Sequence, residues 1–142
     1  MLRIVLALMV ASIAAVAAIF LEFQVEAFFD PGLRTPDTWT VGFIYYVAKL
    51  LPYVILYAAV VGIATGRLFP TNRWTVVAAR GLLLAVPPWL VEIYTGFDPN
   101  ADSLLEELGV TAAIFAWPFF AATAAVLACM MSNTSLARTR EG

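Results

Sequence analysis

Two charged residues of opposite sign, Lys49 and Glu92, lie inside long apolar segments of this chain. Lys49 belongs to the run VGFIYYVAKLLPYVILYAAVVGIAT, and Glu92 belongs to the run WTVVAARGLLLAVPPWLVEIYT. A charge in hydrocarbon costs several kcal/mol unless the side chain reaches the head groups, is hydrated or is paired with an opposite charge. These two residues are therefore the first candidates for a functional site.

Three tyrosines share a helical face with Lys49. At about 100° per residue, Tyr46, Tyr53 and Tyr57 fall on the same side of a helix as the lysine. They could line a polar path with Lys49, or each could pack and donate a hydrogen bond to a neighbouring backbone. We favour packing, because it is the commoner use of a tyrosine within a membrane span.

Four apolar segments can position these side chains. About 20 apolar residues span the hydrocarbon core of a bilayer as a helix. The chain is 63% hydrophobic and only 13% charged, whereas soluble domains are about 25% charged. We therefore predict an all-α integral membrane protein, a single membrane domain over residues 1–142 with a bundle of four transmembrane helices. The predicted spans are residues 2–21, 41–65, 74–95 and 108–131.

The first segment also resembles a secretory signal, since Arg3 precedes the apolar run and residues 15–17 form an Ala-Val-Ala cleavage pattern. Its length favours an uncleaved membrane anchor.

The arginines predict the orientation. One side of the membrane carries five bases and one acid, and the other carries one base, Arg34, and eight acids. The basic side is Arg3, Arg67, Arg73, Arg138 and Arg140, with Glu141. Since basic residues are enriched on the cytoplasmic side, we predict that both termini are cytoplasmic and that the acidic loops, residues 22–40 and 97–107, lie outside.

This orientation places Lys49 and Glu92 at similar depths. Lys49 lies about 12 Å along its helix from Val41, and Glu92 lies about 6 Å from Gly96. Two interpretations stay open: an ion pair or shared water-filled cavity across the hairpin, or two side chains that extend separately to the outer head groups.

The arginines near the cytoplasmic side are predicted to act as anchors. Arg67, Arg73 and Arg80 are placed to bind lipid phosphates there.

The first acidic loop contains three acids at four-residue intervals, Glu22, Glu26 and Asp30, which share a face if the segment is helical. We predict a short interfacial helix with a solvated acidic face. The alternative is a cation site.

Small residues and prolines predict how the helices pack. Ala58, Gly62 and Gly66 form a ridge that allows another helix, internal or from a partner, to approach closely. Pro52 removes a backbone donor from the second span. Pro87 and Pro88 remove two from the third, leaving the carbonyls of Leu83 and Leu84 free.

The composition limits the possible functions. The chain has no histidine and one cysteine, which excludes histidine-ligated metals, cysteine clusters and internal disulfides. We expect no cofactor, no enzymatic activity and no nucleic-acid partner. The prediction is an accessory, assembly or regulatory subunit of a larger membrane complex, in the bilayer of a bacterial cytoplasmic membrane. The alternative is a small oligomeric transporter or channel with a polar path at Lys49 and Glu92.

Overall fold

The computed structural model describes residues 1–29, 31–96 and 104–131, and every regular element within them is helical. The elements are α1 (Leu2–Phe29), a 3-10 turn (Pro31–Arg34), α2 (Pro36–Tyr57), a π-helical turn (Ala58–Gly62), α3 (Ile63–Leu68), α4 (Trp74–Gly96) and α5 (Leu104–Cys129). Three helical segments are long and apolar enough to cross a membrane: Leu2–Phe28, Pro36–Leu68 and Trp74–Val91. The prediction of a helical integral membrane protein is confirmed.

Helix α1 continues past Leu21, where the predicted span ends, to Phe29. The added residues, EFQVEAFF, contain no helix breaker, and the first breakers are Pro31 and Gly32. Arg34 then caps the helix: its Nε donates to the Ala27 carbonyl at 2.5 Å and its Nη2 to the Phe28 carbonyl at 3.2 Å. These bonds satisfy carbonyls that have no partner within the helix. Much of the predicted loop 22–40 is therefore helical.

Helices α2 and α3 form one long rod with the π-helical turn between them. The rod begins at Pro36, before the predicted start at Val41, because proline is well tolerated in the first turn of a helix. It ends at Leu68, just before Pro70. The π-helical turn, with its i→i+5 hydrogen bonding, was not predicted, and no residue pattern in AAVVG signals it.

Helix α5 lies at the centre of the bundle, with α1 and α4 as its main neighbours and the π-helical turn and α3 also against it. Small side chains make this arrangement possible. One cluster of the core consists of five alanines and two valines, all fully buried: Ala7, Ala11, Ala15, Val54, Ala58, Ala122 and Val126. Such short side chains let helix backbones approach closely.

The contacts give the bundle two distinct ends. Gly66 of α3 meets Met130 of α5, and Arg80 of α4 reaches Phe69, so these residues lie at one end. We call it the arginine end, since Arg67 and Arg73 are exposed there. The opposite end, where α1 meets the start of α2, we call the acidic end. It carries Glu22, Glu26 and Asp37.

Candidate functional site

The ridge of Ala58, Gly62 and Gly66 lies against α5, inside the chain. A Cβ atom added at Gly62 would lie 3.0 Å from Val126 Cγ1, and one added at Gly66 would lie 2.9 Å from Met130 Sδ. Ala58 is fully buried. The ridge is thus used within the protein and is not a free surface for a partner.

Tyr57 resolves the backbone defect that the double proline creates. Pro88 has no N–H to bond the carbonyl of Leu84, four residues earlier. The Tyr57 hydroxyl donates to that carbonyl at 2.5 Å. Its ring also meets Phe119 of α5 edge-on, with 5.6 Å between centroids. Tyr57 therefore packs against α5 and bonds the backbone of α4.

The other two predicted tyrosines have different surroundings. The Tyr46 hydroxyl donates to Glu26 Oε1 of α1 at 3.2 Å. Tyr53 is 68% exposed. The structure therefore does not bring Tyr46, Tyr53 and Tyr57 together along one path with Lys49. A helical wheel assigns side chains to a face but gives no information about which neighbour stands opposite each one at each depth.

Lys49 points away from the bundle. Its side chain is exposed, and its Nζ lies 6.0 Å from the ring centroid of Tyr45. Tyr45 is 62% exposed. We call the surface formed by Tyr45, Lys49 and Tyr53 the Lys49 face. The sequence prediction did not include Tyr45, although its position four residues before Lys49 indicates a shared face.

The predicted partner, Glu92, belongs to α4, but its side chain lies outside the described part of the structure. Helix α4 packs on α5, whereas Lys49 is carried by α2. Among the described residues, α2 contacts α4 through the hydrogen bond that the Tyr57 hydroxyl donates to the Leu84 carbonyl, and this bond does not involve Lys49.

Arg80 bonds to the protein at the arginine end. Its Nη1 donates to the Phe69 carbonyl, and its guanidinium carbon lies 5.8 Å from the Phe69 ring centroid. The side chain thus reaches back toward the start of α4 and bonds the loop between α3 and α4. Arg67 and Arg73 are exposed beside that loop.

A cleft at the acidic end contains an acidic side chain that the sequence interpretation placed in solvent. It lies between residues 14–25 of α1 and residues 117–121 of α5, with a volume of about 570 Å³. Glu22 lines it and is only 4% exposed. The prediction of a solvated acidic face is wrong for Glu22, because α1 continues and carries this residue into the interface with α5. The missed signal was the absence of a breaker before Pro31.

The alternative of a cation site at Glu22, Glu26 and Asp30 receives no support from these contacts. Glu26 accepts the bond from Tyr46, and Asp30 lies outside the described residues. Within residues 1–29, 31–96 and 104–131, no three acidic, cysteine or histidine side chains are grouped to hold a metal ion.

Comparison with protein-family models, with curated proteins and with solved structures gives no match to this chain. The features of the molecule that bear on its function are the Lys49 face, the internal packing and the cleft.

Proposed function

We propose that the protein is an accessory, assembly or regulatory subunit of a larger membrane complex, and that it binds its partner through the Lys49 face. The observation that carries this proposal is an exposed ammonium within an apolar helical segment long enough to cross a membrane. Intramembrane charges that face outward need compensation from head groups, water or a partner. A transmembrane partner supplies it directly.

The internal packing supports this choice of surface. The ridge of Ala58, Gly62 and Gly66 is already covered by α5. The hydroxyls of Tyr46 and Tyr57 already bond Glu26 and Leu84. Over residues 41–60 of the rod, the polar side chains that remain exposed to another protein are those of the Lys49 face.

The chemistry of the face defines its partner. Lys49 lies about 20 Å along the rod from Pro36, by the helical rise per residue. The exposed rings of Tyr45 and Tyr53 lie one turn to either side of it. The matching partner is a transmembrane helix with an Asp or Glu at that depth, so that the ammonium is paired and each tyrosine hydroxyl can donate a hydrogen bond.

The topology belongs to the same proposal. We take α5, with 26 residues and a described apolar segment over Ala116–Cys129, as the fourth span. The five bases that the charge pattern assigns to one side support N-in/C-in orientation in a bacterial cytoplasmic membrane. In a Cys129→Ala background, Asp37→Cys should react with an impermeant thiol reagent from outside, and Pro70→Cys only after the cells are opened. The reverse pattern contradicts this orientation.

The test of function is copurification in mild detergent. The unaltered protein should elute with a stoichiometric membrane partner. Lys49→Met should release that partner, while Lys49→Arg should retain it because the charge is kept. Val60→Met is the matched control, since Val60 is 62% exposed on the same rod and uncharged.

Two results contradict the proposal. One is a partner that stays bound to the Lys49→Met variant as firmly as to the unaltered protein. The other is a homo-oligomer that exchanges solute in liposomes, which supports the transporter alternative with its path at Lys49 and Glu92.

A further inference from the structure

Helix α4 carries a shallow groove on its outward side at the arginine end. The groove has a volume of about 280 Å³, and its lining residues recur at helical spacing along one face: Thr75, Val76, Ala79, Arg80 and Leu83. Gly81, on the other side of the helix, meets Phe120 and Ala124 of α5. Since the segment Trp74–Val91 is apolar enough to cross a membrane, a groove on its outward side faces lipid.

The groove contains a positioned guanidinium group. Arg80 is the one charged residue among those that line the groove. Its Nη1 donates a hydrogen bond to the Phe69 carbonyl, and the Phe69 ring centroid lies 5.8 Å from the guanidinium carbon. This bond uses one of the five N–H donors of a guanidinium, so other donors can bind the oxygens of a phosphate.

The charged and apolar parts of the groove lie at different depths. Trp74, the first residue of α4, is 68% exposed, as is typical of tryptophans at a membrane interface. The Arg80 side chain reaches back to that level, whereas Leu83 lies deeper. From Thr75 to Leu83 the groove covers about 12 Å along the helix axis, against roughly 15 Å for half of the hydrocarbon core. A phospholipid presents its phosphate and its acyl chains in the same order.

The surroundings of the groove favour an anionic lipid. From Ile63 to Arg80 the sequence contains three arginines and no Asp or Glu. A zwitterionic head group adds an ammonium, which arginines repel, and no carboxylate lines the groove to receive it. Phosphate dissolved in water could meet Arg80, but it has no apolar part to cover Ala79 and Leu83.

We propose that this groove binds one anionic membrane phospholipid, with its phosphate on Arg80 and the start of an acyl chain along Ala79 and Leu83. All three arginines at this end were predicted to bind lipid phosphates, and the groove distinguishes Arg80 from the exposed Arg67 and Arg73. The site is separate from the Lys49 face and does not depend on the partner proposed above.

The experiment is native mass spectrometry of the full-length protein, delipidated in detergent and given equal amounts of phosphatidylglycerol and phosphatidylethanolamine with identical acyl chains. We expect the glycerol lipid to be retained in several-fold excess over the ethanolamine lipid. Arg80→Gln should remove most of that excess. Arg73→Gln is the matched control, because it removes the same charge from an exposed position at the same end and should keep most of the excess.

A second pair of variants tests the location without changing Arg80 or its bond to Phe69. Ala79→Phe should fill the groove and reduce retention of the glycerol lipid several-fold. Ala78→Phe is the control, since Ala78 is the adjacent residue and is also exposed, but does not line the groove. This pair also separates loss of the site from any loosening of the loop in Arg80→Gln.

Four results would overturn the proposal. The unaltered protein could retain both lipids equally. Arg80→Gln and Arg73→Gln could reduce the excess by the same factor, which would indicate attraction by the whole arginine end and no single site. Ala79→Phe could retain as much glycerol lipid as Ala78→Phe. Displacement of the bound lipid by millimolar inorganic phosphate would assign the site to a soluble anion and contradict a lipid occupant.

Discussion

The two ends of the bundle are held together by different kinds of side chain. At the arginine end, Gly62 and Gly66 lie directly against Val126 and Met130 of α5. At the acidic end, the space between α1 and α2 is filled by aromatic rings. Phe20, Phe23, Trp39, Phe43 and Tyr46 have ring centroids 5.4–6.0 Å from one another in a chain of contacts.

The two ends also differ in what lies between the helices. The glycines at the arginine end let α3 and α5 approach closely. At the acidic end the rings fill the space between α1 and α2, and the cleft beside Glu22 lies between α1 and α5, lined by alanines and not by these rings. The acidic end also carries the Glu26–Tyr46 bond, and the Lys49 face begins near it. The cleft and the Lys49 face thus lie toward the acidic end, whereas the helices are in close contact at the arginine end.

The largest expected effect is loss of the central ring at the acidic end. Phe23 is fully buried and contacts Trp39, Phe43 and Tyr46. Phe23→Ala should lower the free energy of unfolding by about 3–5 kcal/mol, because it removes the ring and leaves a cavity. Unfolding in dodecyl sulfate, followed by circular dichroism, gives the measurement.

Phe28→Ala is the control for this change, since Phe28 is 70% exposed on the same helix. If both substitutions lowered the stability equally, the aromatic cluster would not hold the acidic end together.

The second effect concerns the arginine end. Gly62→Leu should reduce the free energy of unfolding by about 1–3 kcal/mol, because even its Cβ would lie 3.0 Å from Val126 Cγ1. Leu56→Ala, at a position 64% exposed on the same rod, should change it by less than about 0.5 kcal/mol. A Gly62→Leu protein as stable as the unaltered one would show that the helices are not in close contact there.

The sequence predicted these packing surfaces better than it predicted the sites. Helical spacing alone placed Ala58, Gly62 and Gly66 on one ridge; Ala58 is fully buried, and the two glycines lie against Val126 and Met130 of α5. Glu22 was misplaced because hydropathy marks where an apolar run ends, whereas helix length depends on breakers. The π-helical turn at Ala58–Gly62 had no signal, since the five residues there are compatible with an ordinary α-helix.

A third, smaller effect concerns the hydrogen bond from Tyr57 to the Leu84 carbonyl, which Pro88 leaves without a helical donor. Tyr57→Phe removes the donor to the Leu84 carbonyl and should reduce the free energy of unfolding by about 0.5–1.5 kcal/mol. In a Pro88→Ala background the helix can supply its own donor, so the effect of Tyr57→Phe should shrink.

Tyr53→Phe is the matched control, because Tyr53 is 68% exposed on the same helix. If Tyr57→Phe cost the same stability with and without the Pro88→Ala substitution, the hydroxyl would not be compensating for the proline.

The smallest expected effect in the isolated protein is at Lys49 and Glu92. Lys49 is exposed and its helix is not the main neighbour of α4, so we expect no strong pairing within one chain. Lys49→Met and Glu92→Gln should each change the free energy of unfolding only slightly, and the double variant should equal their sum within about 0.3–0.5 kcal/mol. This measurement is made on the isolated protein, so it is independent of the copurification test of a partner at Lys49.

A different outcome would identify an internal pair. If either single change lowered stability by several kcal/mol and the double change recovered much of it, each substitution would have left an opposite charge uncompensated in a low dielectric. Lys49 would then be satisfied inside its own chain, and the Lys49 face would lose the reason for a carboxylate-bearing partner. If the two effects were instead additive and Lys49→Met lost the partner, Lys49 would be compensated by a carboxylate of another protein and not by Glu92 of its own chain.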